Sequence, residues 1–242
     1  MRIDVLLVQK SIAESRNKAQ EMICSGLIYC DGRLITKPSF DADERCKIEI
    51  RGETMKFVGR GGLKLEGALD RFGISVNGLI CADIGASTGG FTDCLLQRGA
   101  AKVYAIDSGR GQLHEKIKSD DRVISYEGFN ARELTEAQTN GKVDLVVMDV
   151  SFISQSLLYG AVCKILKPGG MFVSLIKPQF EAGRSHVGKN GIVKDKKVHR
   201  AVIDKLSADA KGRGLIMTGV AESSVKGGDG NTEYTAYFIL KS

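Results

Sequence analysis

The stretch that most constrains the fold of this 242-residue chain is a glycine-rich turn at residues 82–91, with the sequence ADIGASTGGF. An apolar run at residues 78–82 precedes the turn, and a helical pattern over residues 91–98 follows it. A strand, a tight glycine turn and a helix in this order form the nucleotide-binding start of a Rossmann-like domain. We therefore expect an α/β domain whose ligand lies against this turn.

The turn differs from the dinucleotide-binding pattern G-x-G-x-x-G, because its glycines are spaced differently and an acid, Asp83, precedes the first of them. A carboxylate at this place repels a pyrophosphate, but it attracts a ligand that carries ammonium and sulfonium groups. S-adenosylmethionine is such a ligand, so the turn predicts methyl transfer rather than hydride transfer. The residues of the turn expected to bind this cofactor are Asp83, Gly85, Ser87, Gly89, Gly90 and Phe91.

From about residue 64 onward, β-prone and helical segments alternate, which predicts a mostly parallel sheet with helices on both faces. We expect strands at residues 79–84, 102–106, 122–126, 143–150, 171–176, 215–220 and 234–240, and helices at 91–98, 111–118, 154–166 and 195–211. Residues 223–231 are too few and too rich in glycine for a crossover helix, so the last strand should run antiparallel. The predicted fold class is α/β, a seven-stranded Rossmann-like methyltransferase domain preceded by a small α+β domain.

Three polar residues at predicted strand ends extend the expected cofactor site. Asp107 ends the second strand, 24 residues after Asp83, where an acid commonly accepts the ribose hydroxyls of a nucleotide. Asn130 follows the third strand and could contact the adenine edge, although asparagine is also common in turns. Asp149 ends the fourth strand. As alternatives to cofactor binding, Asp107 could cap a turn and Asp149 could cap the helix that follows.

Four charged residues at strand and helix ends form a candidate set for proton transfer: Lys64, Asp149, Lys177 and Glu233. Lys177 follows a buried apolar strand and is costly to desolvate without a partner, for which Asp149 is the nearest candidate. A desolvated lysine, or one beside a second cation, can act as a general base. We assign this role to Lys177, oriented by Asp149, with the other two positioning a ribose. The proposed reaction requires no metal. Taken singly, each of the four residues is more often structural than catalytic.

The first sixty residues predict a small separate unit with two short helices, an Asp-Gly hairpin and a further strand. Arg16 and Lys18 open the second helix, where cations are unfavourable against the helix dipole. Their presence is explained if this helix end faces a phosphate backbone. The alternative is that both are solvent-exposed surface charges.

Several motifs of this unit resemble the small RNA-binding domain shared by a small-subunit ribosomal protein, pseudouridine synthases and tyrosyl-tRNA synthetase. They are RIDxLLV from residue 2, SRxxA from residue 15, GxIxxDG from residue 26 and Lys37-Pro38. The resemblance implies binding of structured RNA by residues 1–57. A glycine-containing joint predicts a linker at 58–63, and the alternation of strands and helices predicts the methyltransferase domain at 64–242. The expected RNA contacts are Arg2, Arg16, Lys18 and Arg60.

The four charged residues resemble the K-D-K-E set of FtsJ-type RNA ribose 2′-O-methyltransferases. With RGGLKL at residues 60–65, DVSFIS at 149–154 and KPQFE at 177–181, the chain resembles the TlyA family, also called haemolysin A. This resemblance implies 2′-O-methylation of cytidine in ribosomal RNA or ribosomal subunits. The chain contains no tryptophan, including in the joint at residues 54–60, which departs from the family pattern.

Composition sets weaker bounds on partners and location. The net charge of +6 permits an RNA partner, and it is spread over both parts, with 11 Lys+Arg against 9 Asp+Glu in residues 1–60 and 24 against 20 in the rest. The six cysteines lack zinc-ligand spacing. Neither a signal peptide nor a run of membrane-spanning length occurs. We expect a soluble cytoplasmic protein, a monomer or weak homo-oligomer with no membrane partner.

Three alternative functions are weighed. A base methyltransferase is disfavoured because no N/D-P-P-aromatic run follows the fourth strand and no Pro-Cys occurs. A membrane-lysing haemolysin is disfavoured because the chain shows no long alternating β-ribbon and no basic amphipathic helix with an aromatic face. An RNA-binding protein that has lost activity conflicts with the presence of the whole candidate site.

Overall fold

The chain divides into two units, Met1–Lys56 and Phe57–Ser242, in a computed structural model that describes residues 1–24, 26–51, 56–188, 191–227 and 230–241. No helix in these ranges is both long enough and apolar enough to cross a membrane. Each unit has its own buried apolar cluster, so the folding of each can be explained by itself.

The first unit contains the predicted helix pair and hairpin. Its elements are α1 (Ile3–Gln9), α2 (Arg16–Cys24), β1 (Ile28–Cys30), β2 (Arg33–Leu34) and β3 (Ile48–Ile50). Ser15 caps α2 by accepting a hydrogen bond from the main-chain amide of Lys18 at 3.2 Å. Asp31 and Gly32 both have positive φ, 50° and 78°, as a tight turn between β1 and β2 requires. Strand β1 pairs antiparallel with both β2 and β3.

The second unit is a seven-stranded sheet with helices on both faces. Its elements in chain order are α3 (Gly61–Phe72), β4 (Ile80–Ile84), α4 (Gly90–Gln97), β5 (Lys102–Asp107), α5 (Glu115–Lys118), β6 (Val123–Glu127), α6 (Glu136–Thr139), β7 (Val143–Met148), α7 (Tyr159–Ile165), β8 (Leu166–Ile176), α8 (Pro178–Glu181), α9 (Lys196–Lys211), β9 (Leu215–Glu222) and β10 (Tyr234–Leu240). The strand order is β6-β5-β4-β7-β8-β10-β9. Strands β4 to β8 pair in parallel, and β10 is antiparallel to both neighbours. The predicted fold class is confirmed.

The structure differs from the sequence-based element list at three helices. Residues 61–63, expected in the linker, form the first turn of α3, a helix that the sequence did not predict. Two glycines open it, and Gly62 lies so close to the Phe57 ring that a Cβ would collide with it. The predicted helix at 111–118 shortens to α5, because Gly111 has a φ of +66°. The helix expected at 154–166 begins as a 3-10 turn at Gln155–Leu158.

Three aromatic side chains form the centre of one apolar layer of the sheet. Tyr159, Phe172 and Phe238 are fully buried, with ring centroids 5.1 to 6.1 Å apart. The hydroxyl of Tyr159 is buried and has no hydrogen-bond partner within the described ranges. An unpaired buried hydroxyl opposes folding, so this layer is stabilised by the ring and not by its polar atom.

We therefore predict that Tyr159→Phe raises the free energy of unfolding, by about 1 to 3 kcal/mol, because it removes an unpaired polar atom and keeps the ring. Chemical denaturation of the full chain measures the change. Tyr234→Phe is the matched control, since the Tyr234 hydroxyl lies 2.9 Å from His199 Nδ1 and its removal should destabilise the chain. A Tyr159→Phe variant less stable than the wild type would contradict the prediction.

Candidate active site

The glycine-rich turn between β4 and α4 lies directly against the end of β7. Gly85 and Gly89 have φ angles of +85° and +94°, in the region that favours glycine. A Cβ on Gly85 would collide with the main-chain oxygen of Asp149, and one on Gly89 would lie 2.9 Å from the Leu113 side chain. The turn therefore needs glycine at both positions, and its close approach brings Asp149 to the cofactor side of the sheet.

Asp83 lies beneath this turn and is fully buried. Its Oδ2 accepts a hydrogen bond from Thr92 Oγ1 at 2.7 Å, whereas Oδ1 has no partner in the part of the chain that the structure describes. Burial, with a smaller contribution from the nearby Asp149, raises the pKa of Asp83 to about 7, although the hydrogen bond from Thr92 lowers it. An ionised carboxylate here would be stabilised by a cation above the turn, which fits the charge of S-adenosylmethionine.

A cavity of about 500 Å³ opens beside the turn, at the carboxyl ends of β4, β5 and β7. This is the point where strand order reverses in an open α/β sheet, which is where ligands bind. The predicted cofactor residues that line it include Gly85, Ser87, Asp107, Asn130 and Asp149. Its volume lies within the range of small-molecule sites, so it fits a nucleoside-containing cofactor.

Two of these residues also hold the local main chain. The carboxylate of Asp107 accepts hydrogen bonds from the amides of Ser87 and Gly109, each at 2.7 Å. Asn130 caps a short 3-10 helix by accepting from the amide of Arg132 at 3.1 Å. The turn-capping alternative left open by the sequence is thus present in both cases, while both residues still line the cavity.

A second cavity, of about 220 Å³, adjoins the first and shares Gly85, Ser87, Asp149 and Ser151 with it. Phe91 and Gly90 of the turn also line this second cavity, together with Arg60 and Lys177. The expected RNA contact Arg60 therefore belongs to the second unit, which we call the catalytic unit, and lines the same cavity as Lys177. Two adjoining cavities of this kind are suited to a methyl donor and a methyl acceptor. We call the cavity beside Asp107 and Asn130 the cofactor cavity and the one beside Arg60 and Lys177 the acceptor cavity.

The four charged candidate residues form two ion pairs. Lys177 Nζ lies 2.5 Å from Asp149 Oδ1 in an orientation that does not meet hydrogen-bond geometry, and it donates to Ser151 Oγ at 3.0 Å. Lys64 Nζ donates to Glu233 Oε2 at 2.6 Å, and these two side chains are 10% and 3% exposed. Paired charges of this kind avoid the cost of burying an isolated ion.

Strand register and helix packing bring the two ion pairs to the same end of the sheet. Ile176, the last residue of β8, pairs with Tyr234, the first residue of β10. Lys177 directly follows β8 and Glu233 directly precedes β10, so both lie at the same edge of the sheet. A Cβ on Gly61, in the first turn of α3, would lie 4.0 Å from Asp149 Oδ2. The helix that carries Lys64 thus begins beside Asp149.

Glu181 holds together the two chain segments that carry Lys177 and Asp149. Its Oε2 accepts from Ser154 Oγ at 2.7 Å and its Oε1 accepts from the amide of Gln155 at 2.8 Å. Burial raises the pKa of Glu181, and these two hydrogen bonds partly offset the increase. From the sequence, Glu181 is only the last residue of the KPQFE motif, and its position four residues after Lys177 is the one signal of this role.

In the first unit, a buried acid orients two of the expected RNA contacts. Asp4 is fully buried and accepts hydrogen bonds from Arg2 at 3.0 Å, Arg16 at 3.1 Å and Gln20 at 2.9 Å. The hydrogen bond from Arg2 holds the pKa of Asp4 well below its usual range. Both arginines remain about half exposed, and Lys18 is exposed at the same helix end, so all three are accessible to an anionic partner.

The fold, with its cavity at the point where strand order reverses, is that of a methyltransferase that uses S-adenosylmethionine. The FtsJ-like methyltransferase family matches residues 57–239, and the S4 domain matches residues 1–44. The chain belongs to the FtsJ-like methyltransferase family and begins with an S4 domain.

Named relatives match nearly the whole chain. Hemolysin A of Brachyspira hyodysenteriae is 41% identical over 241 residues, covering 99% of this chain and 100% of that protein. The 16S/23S rRNA (cytidine-2′-O)-methyltransferase TlyA of Mycobacterium tuberculosis is 40% identical over 234 residues, covering 96% of this chain and 87% of that protein. A solved structure from Streptococcus thermophilus that carries the name hemolysin has a TM-score of 0.80 and 42% identity, and covers 100% of this chain and 89% of that one.

We predict that cofactor affinity rises with pH up to about 7 because of Asp83. Its pKa of about 7 is raised from an unperturbed value of about 3.9. The folded cofactor-free chain therefore holds a proton that the unfolded chain has lost, and its free energy of unfolding falls as pH rises from about 4 to about 7. A bound cation favours release of that proton, so the affinity should increase by up to about tenfold per pH unit in this window.

Isothermal titration calorimetry of S-adenosylmethionine across this pH window tests the prediction. Asp83→Asn carries no titrating carboxyl and should flatten the dependence. A slope of equal size in Asp83→Asn would assign the effect to another group, such as the amino group of the cofactor.

We also predict that Glu181→Ala lowers kcat by up to about a hundredfold, because small displacements of reacting groups cost this much in rate. Glu181→Gln should retain part of the activity, since an amide oxygen can still accept from Gln155. The comparison requires separate values of kcat and KM for methyl transfer. Glu136→Ala, which alters an exposed glutamate at the start of α6, is the control and should leave both unchanged; equal kcat losses in the two alanine variants would refute the prediction.

Proposed function

We propose that this chain transfers a methyl group from S-adenosylmethionine to the ribose 2′-hydroxyl of a cytidine in ribosomal RNA. The observation that carries the proposal is the pairing of Lys177 with Asp149 in a cavity continuous with the cofactor cavity. The S4 domain and the name of the Mycobacterium tuberculosis relative support ribosomal RNA, in a ribosomal subunit, as the substrate.

Lys177 is the general base of the proposed reaction. S-adenosylmethionine supplies an electrophilic methyl group bound to a sulfonium sulfur. Lys177, once its ammonium has released a proton to solvent, accepts the proton of the 2′-hydroxyl while the ribose oxygen forms its bond to the methyl carbon. The cofactor would keep the electron pair of its broken carbon–sulfur bond on sulfur, so the charge balances as Lys177 becomes an ammonium. Asp149 then stabilises that ammonium across their 2.5 Å separation.

The second ion pair, an exposed aromatic pair beside the first cavity and an arginine of the acceptor cavity position the substrate. Lys64 and Glu233 are nearly buried and paired, so they present a fixed pair of charges at the end of the sheet where Lys177 lies. Phe152 is 91% exposed and its ring lies 4.9 Å from that of Phe180, giving a platform on which a nucleobase can stack. Arg60 lines the acceptor cavity, where a guanidinium suits a phosphate.

We predict that Lys177→Ala lowers the rate of methyl transfer by about a hundredfold or more, the usual contribution of a general base. Affinity for S-adenosylmethionine should stay within a few-fold. Lys177→Arg is the discriminating variant, because arginine keeps the positive charge but does not give up its proton in proteins. Single-turnover rates and cofactor binding check both variants; an active Lys177→Arg enzyme would exclude Lys177 as the base.

The proposed function is tested with S-adenosylmethionine labelled in its methyl group and with small and large ribosomal subunits that lack 2′-O-methylcytidine. Nuclease digestion and mass spectrometry of the labelled RNA should identify 2′-O-methylcytidine. A methyl group on a base would favour the base-methyltransferase alternative, and label in neither subunit would reject ribosomal RNA as the substrate.

A further inference from the structure

A short basic segment at the start of α9 holds a large part of the net charge of the chain. Residues 194–200 contain four lysines or arginines and one aspartate, a net charge of +3 within a chain total of +6. All four cations are exposed. Arg200 pairs with Asp204 at 3.0 Å, but the other three, which we call the lysine cluster (Lys194, Lys196 and Lys197), form no ion pair in the described ranges.

The lysine cluster does not stabilise the helix on which it lies. Lys196 and Lys197 occupy the first turn of the 16-residue helix α9, which has no acid in that turn. Cations at a helix N-terminus are unfavourable, and neighbouring like charges repel one another. Asp195 caps the helix by accepting a hydrogen bond from the main-chain amide of Lys197 at 2.8 Å. This cap does not depend on a lysine side chain. The cluster therefore fits an external partner with negative charge.

Buried hydrogen bonds fix this segment next to the catalytic site. The His199 ring is 5% exposed, with Nδ1 lying 2.9 Å from the Tyr234 hydroxyl and Nε2 lying 2.8 Å from the main-chain oxygen of Val193. Asn231, which is 1% exposed, accepts from the amide of Val193 at 3.1 Å. These contacts join the segment to the residues on both sides of Glu233, one of the four charged residues of the site.

We propose that the lysine cluster binds phosphates of the RNA strand that flanks the methylated nucleotide. A strand whose ribose enters the acceptor cavity must carry its neighbouring nucleotides over the adjacent surface, and each nucleotide brings one negative charge. The inference rests on the proposed function and adds a second RNA-binding surface, on the catalytic unit, to that of the S4 domain. Phosphate contacts of this kind hold the register of the strand and supply salt-dependent affinity.

The test compares two triple variants of the full chain with the same change of charge. The first is Lys194→Gln/Lys196→Gln/Lys197→Gln. The control is Lys142→Gln/Lys164→Gln/Lys211→Gln, which alters exposed lysines just before β7 and at the ends of α7 and α9. These three lie at the opposite end of the parallel strands from Lys177. Binding of unmodified small and large ribosomal subunits is measured over a series of salt concentrations without cofactor.

For the cluster variant we expect affinity at about 0.1 M salt to fall about tenfold or more, and the slope of log K against log salt to become shallower by about 2, as expected for two or three lost phosphate contacts. Affinity for S-adenosylmethionine should not change. The control should keep the wild-type slope. Equal effects of both triples, or no effect of the cluster variant, would overturn the proposal, as would failure of the wild type to bind either subunit.

Product mapping separates this proposal from the proposed function. If the cluster variant loses affinity as expected but the wild type places its methyl group on a base, the phosphate contact stands and ribose methylation fails. If the wild type forms 2′-O-methylcytidine while the cluster variant binds normally, ribose methylation stands and the phosphate contact fails.

Discussion

The close approach of the glycine-rich turn to the end of β7 is the constraint on which the active site depends. The amide of Asp149 donates to the main-chain oxygen of Ile84 at 3.0 Å, continuing the pairing of β4 and β7 past the strand ends. Gly85 leaves no room for a side chain at this point. Asp149 therefore lines both cavities, and the lysine paired with it lies where a donor and an acceptor can meet.

Charges in the catalytic unit are arranged so that buried groups are paired, with one exception at the strand end that leads into the glycine-rich turn. Lys64 and Glu233 satisfy each other, and Glu181 is satisfied by the chain segment that it holds. Asp83 keeps one unpartnered oxygen in the described part of the chain, and burial raises its pKa. A site that leaves one negative charge incompletely compensated is prepared for a cationic ligand.

Sequence patterns predicted most of this architecture because they act locally. The turn at 82–91 and the Asp-Gly hairpin depend on backbone conformations that few residues adopt. Helix α3 was missed because its opening glycines disfavour a helix in isolation, whereas contact with Phe57 stabilises it in the fold. The lysine cluster was missed for another reason: charge counted over long segments averages out the net charge of +3 that residues 194–200 carry.

The amino-acid sequence by itself determined the cofactor turn, the alternation of strands and helices, and which charged residues end those strands. Only the tertiary structure decided how those residues pair, because Lys64 and Glu233 are 169 positions apart and meet only when α3 packs beside β10. It also decided that Glu181 joins the segments after β7 and β8, and that His199 fixes the basic segment beside Glu233. Contacts of this kind depend on register and packing between distant segments, which no local pattern contains.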